Sequence, residues 1–178
     1  MQNYIALLRG INVSGQKLIR MKDLVQLLES AGLKQVQNYI QSGNIAFQSS
    51  EQRIPVLVDS IQGAIKKEYG FDVPTQILTP GKLKQVIEQN PFLARPDFVE
   101  NKMYVTFLDA IPAVVPEVGS KVQGNDEYVI DGDLIYSYLV EGAGKTKLTN
   151  AYWETLLKVS ATSRNWRTTV KLFEMVKQ

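Results

Sequence analysis

The chain opens with Asn3-Tyr-Ile-Ala-Leu-Leu-Arg-Gly-Ile-Asn-Val-Ser-Gly15, an apolar strand that ends at Arg9-Gly10 and continues as a polar loop. Further basic side chains follow in and after this loop: Lys17, Arg20 and Lys22. Basic residues at the exit of a buried strand are typical of a binding surface built on a rigid scaffold. We therefore predict ligand contacts here from four residues: Arg9, Gly10, Asn12 and Lys17.

The elements that follow this strand predict a ferredoxin-like module. Apolar residues at helical spacing predict helices over 21–31 and 54–70, and apolar or alternating runs predict strands over 35–40, 44–48 and 73–78. Gln41-Ser42-Gly43 has the composition of a tight hairpin turn. The order strand-helix-strand-strand-helix-strand is a split βαβ module that fills residues 1–79. With the first and third strands taken as parallel, the hairpin turn is expected at the opposite end from Arg9.

The second half repeats this order in part. After a helix and a proline-containing linker over 80–100, the pattern predicts a strand over 102–108, a short irregular helix over 112–119 and a hairpin of strands 127–130 and 134–140. A helix from about Lys147 and a final helix complete the chain. We expect an α/β (α+β) protein of two related ferredoxin-like subdomains, 1–79 and 101–178, with a C-terminal helix replacing the eighth strand.

Composition excludes whole classes of chemistry. The 178 residues contain neither cysteine nor histidine, which rules out thiolate nucleophiles, disulfides, His-based triads and the usual zinc sites. Asp131-Gly-Asp133 is interpreted as a hairpin turn rather than a site for a hard metal. We therefore expect no metal and no cofactor. No apolar run reaches the length of a membrane span and no signal-peptide pattern is present, so a cytoplasmic protein without membrane contacts is expected.

A glycine-containing loop in the second half, Glu141-Gly-Ala-Gly-Lys-Thr-Lys147, resembles a nucleotide-binding loop in part. A Walker A loop requires glycine where this chain has Leu139, so that match fails. Glycines still allow close backbone approach, and a helix start flanked by lysines suits a phosphate or carboxylate. The residues predicted to bind are Gly144, Lys145, Thr146 and Lys147, with Thr146 as N-cap. The alternative is a flexible turn with a capping threonine.

Ala161-Thr-Ser-Arg-Asn-Trp-Arg-Thr-Thr169 is expected to open the last helix. Thr162 or Ser163 is the predicted cap, and Trp166 shares an apolar stripe with Val170 and Phe173, which predicts a core position. Two arginines in a first turn oppose the helix dipole, which indicates an acidic partner or ligand. Binding residues are therefore predicted here at Arg164, Asn165 and Arg167.

Charge is unevenly distributed although the net charge is only +2. Residues 1–50 carry five basic and two acidic side chains, residues 91–138 three and eight, and residues 139–178 seven and three. Either the two basic ends form one anion-binding face, or the imbalance belongs to an ordinary solvated surface.

Four motifs occur in this order along the chain: Ala6-Leu-Leu-Arg-Gly-Ile-Asn-Val13, Tyr39-Ile-Gln-Ser-Gly-Asn44, Gly142-Ala-Gly-Lys-Thr-Lys-Leu148 and Thr162-Ser-Arg-Asn-Trp-Arg-Thr168. Together they resemble a bacterial family of proteins of unknown function, the one numbered 1697. The family usually has Gly-Gly where this chain has Ser14-Gly15, and often serine at Thr146. The resemblance implies a bacterial, cytosolic α/β protein of two ferredoxin-like subdomains, and it implies no activity.

Three functional hypotheses follow. The first is binding of an anionic partner, either a small phosphate-bearing molecule or a nucleic acid. RNA binding on such sheets uses exposed aromatic residues on adjacent central strands, a pattern that is missing here because Tyr4 and Phe47 are the only candidates, and this disfavours the nucleic-acid version. The second is an enzyme that acts on a phosphorylated or carboxylated metabolite through Lys17 or Lys145. The third is a protein-interaction or homo-oligomeric module, marked by an exposed apolar patch.

Overall fold

The protein is described here by a computed structural model that covers residues 1–177. Two compact units are present: residues 1–84 with the C-terminal residues from Leu172, and residues 85–171. Every helix in the described part of the chain is too short or too polar to cross a bilayer.

The first unit contains a four-stranded antiparallel sheet of order β2-β3-β1-β4. Its elements are β1 (Gln2–Leu8), α1 (Met21–Ser30), β2 (Lys34–Tyr39), β3 (Asn44–Ser49), α2 (Ile54–Tyr69) and β4 (Thr75–Leu78), followed by α3 (Pro80–Glu88). The helices form because their apolar residues recur every three or four positions and so share one face. Buried residues of both helices pack against β1 and β3: Leu24, Leu28, Leu57, Ile61 and Ile65 against Tyr4, Ala6, Leu8, Ile45 and Phe47.

The second unit repeats this topology, with sheet order β6-β7-β5-β8 and every neighbouring pair antiparallel. Its elements are a 3₁₀ turn (Glu100–Lys102), β5 (Met103–Leu108), α4 (Ser120–Gln123), β6 (Glu127–Asp131), β7 (Leu134–Tyr138), α5 (Asn150–Leu157) and β8 (Ala161–Asn165), followed by α6 (Trp166–Val176). Trp153 and Leu157 of α5 pack on Leu108, Ile135 and Ala161 of the sheet. The expected α/β protein of two related ferredoxin-like subdomains is confirmed.

The eighth strand, however, contradicts the sequence prediction. Residues 161–165 form β8, which pairs with β5 from Leu108↔Ala161 to Tyr104↔Asn165. The last helix therefore follows the fourth strand of the second sheet and does not replace it. The strand was missed because Ala-Thr-Ser-Arg-Asn has no apolar alternation, and its conformation depends on the ladder with β5.

Three local predictions in the second unit are also wrong. Residues 112–119 contain no helix, and the only helical turn of this connection is α4, from Ser120 to Gln123. Helix α5 begins at Asn150 rather than near Lys147, and its N-cap is Thr149, whose side chain accepts a hydrogen bond from the Tyr152 N–H at 3.2 Å. The predicted cap Thr146 lies in the preceding loop and makes a different contact.

Candidate functional site

Strand β1 ends beside the β2–β3 turn, contrary to the prediction that these lie at opposite ends of the sheet. The error was in strand direction, since β1 and β3 are antiparallel and Leu7 pairs with Asn44. The Leu8 N–H donates to the Gly43 carbonyl at 2.7 Å, and the Arg9 N–H donates to the Pro74 carbonyl at 2.9 Å. The exit of β1, the turn at residues 41–43 and the entry to β4 therefore meet at one edge.

Asn12 organises the loop that leaves this edge, which we call the strand-exit loop (residues 9–19). Its Oδ1 accepts the Ile19 N–H at 2.8 Å, while its Nδ2 donates to the Ile19 and Gln41 carbonyls at 3.0 and 3.1 Å. One amide thus ties both ends of the loop to the β2–β3 turn. Asn12, predicted as a ligand contact, has a structural role in this loop.

Lys17 holds the other side of the strand-exit loop. Its ammonium donates to the Asp72 carbonyl at 2.6 Å and lies 5.8 Å from the centre of the Phe71 ring. These contacts join the loop to the connection before β4. Arg9, the first residue of this loop, is half-buried, and burial lowers the pKa of its guanidinium. Gly10 has a φ of +74°, a value that glycine adopts without strain.

In the second unit, a buried carboxylate shapes the segment between β7 and α5, which we call the glycine loop (residues 139–149). Asp126 accepts the Val140 N–H at 2.9 Å on Oδ1 and the Thr146 hydroxyl at 2.6 Å on Oδ2. The Thr146 hydroxyl oxygen in turn accepts the Leu148 N–H at 3.1 Å. Two points of the loop are therefore bonded to one side chain.

The lysines of the glycine loop face a second segment that carries another lysine. Lys121, Lys145 and Lys147 line a cavity of about 210 Å³ between residues 121–126 and 141–147, which we call the lysine cavity. All three side chains are exposed. Two carboxylates also line it: Asp126, bonded as described, and Glu141, whose Oε2 lies 3.5 Å from the Lys145 ammonium. The described lining thus carries three positive and two negative charges.

The motif around Trp166 does not form the predicted arginine pair. Arg164 belongs to β8 and only Arg167 lies in the first turn of α6. Asn165 caps this helix, because its Oδ1 accepts the Thr168 N–H at 2.8 Å, and the predicted caps Thr162 and Ser163 lie on the strand. The dipole argument for a ligand therefore applies to Arg167 alone.

Arg164 and the glycine loop are on different faces of the second sheet. Ser163 lies beside Thr146 in the lining of a cavity under the glycine loop. Side chains alternate along a strand, so Arg164 points to the other face. Burial lowers the pKa of the Arg164 guanidinium to about 10, which leaves it protonated at neutral pH.

Two members of the lysine cavity were not identified from the sequence. Lys121 lies in a four-residue helix, which is too short to show a helical spacing of apolar residues. Asp126 is one of several acidic residues near a predicted hairpin, and its sequence does not distinguish it from the others. The only sequence signal for Asp126 is its position one residue before a strand and directly after Gly124-Asn125. Asp126 is buried because the glycine loop folds over it, and its role in holding that loop depends on this contact.

Tyr4 and Phe47, the only aromatic candidates for a nucleic-acid platform, are buried. Tyr4 and Phe47 are each 1% exposed and stack on one another with ring centres 5.5 Å apart. Both belong to the core between the first sheet and its helices. They are therefore unavailable to stack on bases.

Comparison with known proteins gives a fold-level relative and a family. The structure described as that of conserved bacterial protein SP0830 from Streptococcus pneumoniae is 28% identical to this chain, with a TM-score of 0.70 over 100% of this chain and 99% of that one. No curated protein matches the sequence. Residues 1–136 match the family described as "Protein of unknown function (DUF1697)", as the motifs indicated. The chain therefore belongs to this family of proteins of unknown function.

Proposed function

We propose that the second unit binds a small phosphate-bearing ligand in the lysine cavity. The observation that carries this proposal is the convergence of Lys121, Lys145 and Lys147 on one concave surface. Lys121 comes from one segment of the cavity wall and Lys145 and Lys147 from another, so an anion bound between the segments would have ammonium groups on both sides. Binding of an anion to ammonium groups is favoured by charge attraction and by charge-assisted hydrogen bonds.

The carboxylates of the cavity do not oppose this proposal. Asp126 is committed to the Val140 N–H and the Thr146 hydroxyl, so it serves the loop. Glu141 forms an exposed pair with Lys145, and pairs of this kind contribute about 0–1 kcal/mol to stability. A phosphate group can replace the Glu141 carboxylate at little cost.

The size of the lysine cavity and the burial of the aromatic residues Tyr4 and Phe47 favour a small ligand over a nucleic acid. The cavity volume of about 210 Å³ is below the roughly 300–1,000 Å³ of drug-sized pockets. Single-stranded nucleic acids also require stacking surfaces, and Tyr4 and Phe47 do not supply one. Arg164 and Arg167 lie outside the cavity lining, so we assign them no contact with this ligand.

The enzyme hypothesis receives less support from the two lysines on which it depends. A lysine nucleophile or base is typically activated by removal from solvent in apolar surroundings. Lys145 is exposed and pairs with a carboxylate. Lys17 is bonded to a backbone carbonyl.

The strand-exit loop offers a second candidate surface for an anion. Arg20 and Lys22 line an open groove beside Asn12 and Gln41. Arg9 and Lys17 belong to the preceding strand-exit loop and lie outside the lining of this groove. We propose this groove as a separate anion contact, to be tested with the variant Arg20→Ala/Lys22→Ala in the assay below.

Thermal melts in inorganic phosphate test the main proposal. We expect the melting temperature to rise with phosphate concentration, relative to sodium chloride of equal ionic strength, and the rise to shrink as salt is added. Lys145→Ala/Lys147→Ala should remove the part of the rise that comes from the lysine cavity, and Arg20→Ala/Lys22→Ala any part that comes from the groove beside the strand-exit loop. The matched control is Lys34→Ala/Lys67→Ala, which removes the same charge from exposed positions of the first unit. An equal rise in the lysine-cavity variant and the control variant, or none in the parent protein, contradicts the proposal.

A further inference from the structure

One face of the second sheet changes from apolar to polar along its strands. Leu108, Ile135 and Ala161 belong to the core under α5. Thr106, two residues from Leu108 on β5, and Ser163, two residues from Ala161 on β8, lie on the same face and are register partners. On β7 the same face presents Ser137, which pairs with Tyr104. These polar residues lie under the glycine loop rather than under the helix.

These residues line a second cavity of about 190 Å³, which we call the hydroxyl cavity. Its lining includes Tyr104, Thr106, Ser137, Ala143, Asn150 and Ser163, and every residue of its lining is uncharged. The cavity therefore suits a small neutral group with several hydrogen-bonding atoms.

A hydrogen-bonded chain crosses the floor of the hydroxyl cavity. The Ser163 hydroxyl donates to the Asn150 Oδ1 at 2.6 Å. The Thr106 and Ser163 oxygens are also 2.6 Å apart. Since the single Ser163 proton is committed to Asn150, Thr106 is the donor of this second bond. The free lone pairs of Thr106 and Ser163 remain to accept hydrogen bonds.

Ser137 is the observation that points to a ligand. Its side chain is 3% exposed, and its hydroxyl has no hydrogen-bond partner among the described residues. Leaving a buried hydroxyl without a partner destabilises the fold, and such groups in native proteins call for an explanation. A ligand hydroxyl in the cavity would supply the missing partner.

We propose that the hydroxyl cavity binds the polyhydroxyl part of the ligand whose phosphate occupies the lysine cavity, so that the ligand is a small sugar or polyol phosphate. This inference rests on the proposed function. Thr146 supports the connection because it lines both cavities. The lysines would hold the charge, and the hydroxyl cavity would select the neutral portion.

Binding measurements with three kinds of probe test the inference: inorganic phosphate, free ribose, and a panel of ribose 5-phosphate, glycerol 3-phosphate and glucose 6-phosphate. We expect at least one sugar or polyol phosphate to bind about tenfold or more tightly than inorganic phosphate. Ala143→Leu places a larger side chain in the cavity lining from an exposed loop position, so it should not disturb folding. It should reduce the affinity for that sugar phosphate to the level of inorganic phosphate and leave phosphate binding unchanged.

Ser137→Ala gives an independent readout. If Ser137 serves only the fold, the variant should melt below the parent protein. If it serves a ligand, removing an unpaired buried hydroxyl should not lower the unliganded melting temperature, while the affinity for the sugar phosphate falls.

The outcomes separate the two proposals. Inorganic phosphate that binds as tightly as every sugar and polyol phosphate overturns the inference and leaves the lysine cavity supported. A third outcome is that the protein binds ribose, that Ala143→Leu removes this binding, and that inorganic phosphate does not bind. This result supports the hydroxyl cavity as a polyol site, and it overturns both the joint ligand and the proposed function. Absence of binding for all probes overturns both proposals.

Discussion

At the scale of single residues, the β2–β3 turn depends on the absence of a side chain at Gly43. This residue has a φ of +73°, and a Cβ there would lie 2.8 Å from both the Leu8 Cβ and the Leu8 carbonyl oxygen. The close approach lets the Leu8 N–H bond to the Gly43 carbonyl. Gly43 therefore sets how closely the β1 exit and the turn can meet.

We expect Gly43→Ala to destabilise the protein by more than Gly70→Ala. Both positions have positive φ, which costs other residues roughly 1–2 kcal/mol. Only Gly43 adds a steric overlap, because the Cβ space at Gly70 is open. Chemical denaturation of both variants checks this. Equal losses would show that the turn relaxes away from Leu8 without cost.

Trp166 is a second residue whose effect we predict. Its side chain is 5% exposed, which confirms the core position expected from the stripe of the last helix. Trp166→Ala should lower the free energy of unfolding by about 3–5 kcal/mol, because a large buried ring leaves a cavity. Arg167→Ala, at the next and exposed position, is the control and should change stability by no more than about 0.5 kcal/mol. A Trp166→Ala melt that overlays the parent would refute the core assignment.

At the scale of elements, the glycine loop is held by side-chain hydrogen bonds rather than by regular structure. Asp126 bonds a backbone N–H at its start and the Thr146 hydroxyl near its end. The contacts hold the loop that carries Lys145 and Lys147, which line the same cavity as Lys121. Such a loop presents its charges with a smaller loss of conformational entropy on binding.

Asp126→Ala should therefore loosen the glycine loop. The Val140 N–H and the Thr146 hydroxyl lose their acceptor, at a cost of about 1–3 kcal/mol. We expect faster amide hydrogen exchange in residues 139–149 and weaker phosphate binding. Thr146→Val removes one of the two bonds and should give a smaller effect in the same direction. Unchanged exchange in Asp126→Ala would show that other contacts hold the loop.

At the scale of the whole molecule, residue types limit the available chemistry. The chain lacks histidine and cysteine, and the described residues contain no group of three or more Asp or Glu side chains arranged to hold a metal ion. Asp131 and Asp133 flank Gly132 in a tight β6–β7 hairpin in which Asp131 pairs with Leu134. Their positions follow from the turn, as the sequence suggested.

We accordingly expect extensive chelation to leave the melting temperature and phosphate binding unchanged. The measurement is a pair of melts, with and without prior dialysis against a chelator. A melting temperature that falls after dialysis and recovers with magnesium or calcium would indicate an oxygen-ligand site and would direct attention to Asp131 and Asp133.

Local sequence predicted most of the elements and part of the candidate site. The periodicity of Leu24 and Leu28, and of Leu57, Ile61 and Ile65, identifies the helix faces because burial of one face needs only local spacing. The lysines of the glycine loop were found for a similar reason, since glycine, lysine and threonine between a strand and a helix form a local pattern. Asp126 and Ser137 were not found as site residues because their roles depend on segments distant in sequence.

The sequence by itself thus determined the two ferredoxin-like subdomains and, through the absence of histidine and cysteine, the classes of chemistry that are excluded. Only the tertiary structure decided that β1 and β3 are antiparallel, that residues 161–165 form β8, and that a buried serine lies under the glycine loop. The physical reason is the range of the interactions. Helix faces follow from neighbours three or four residues apart, whereas strand direction, β8 pairing and cavity lining depend on hydrogen bonds between residues tens of positions apart.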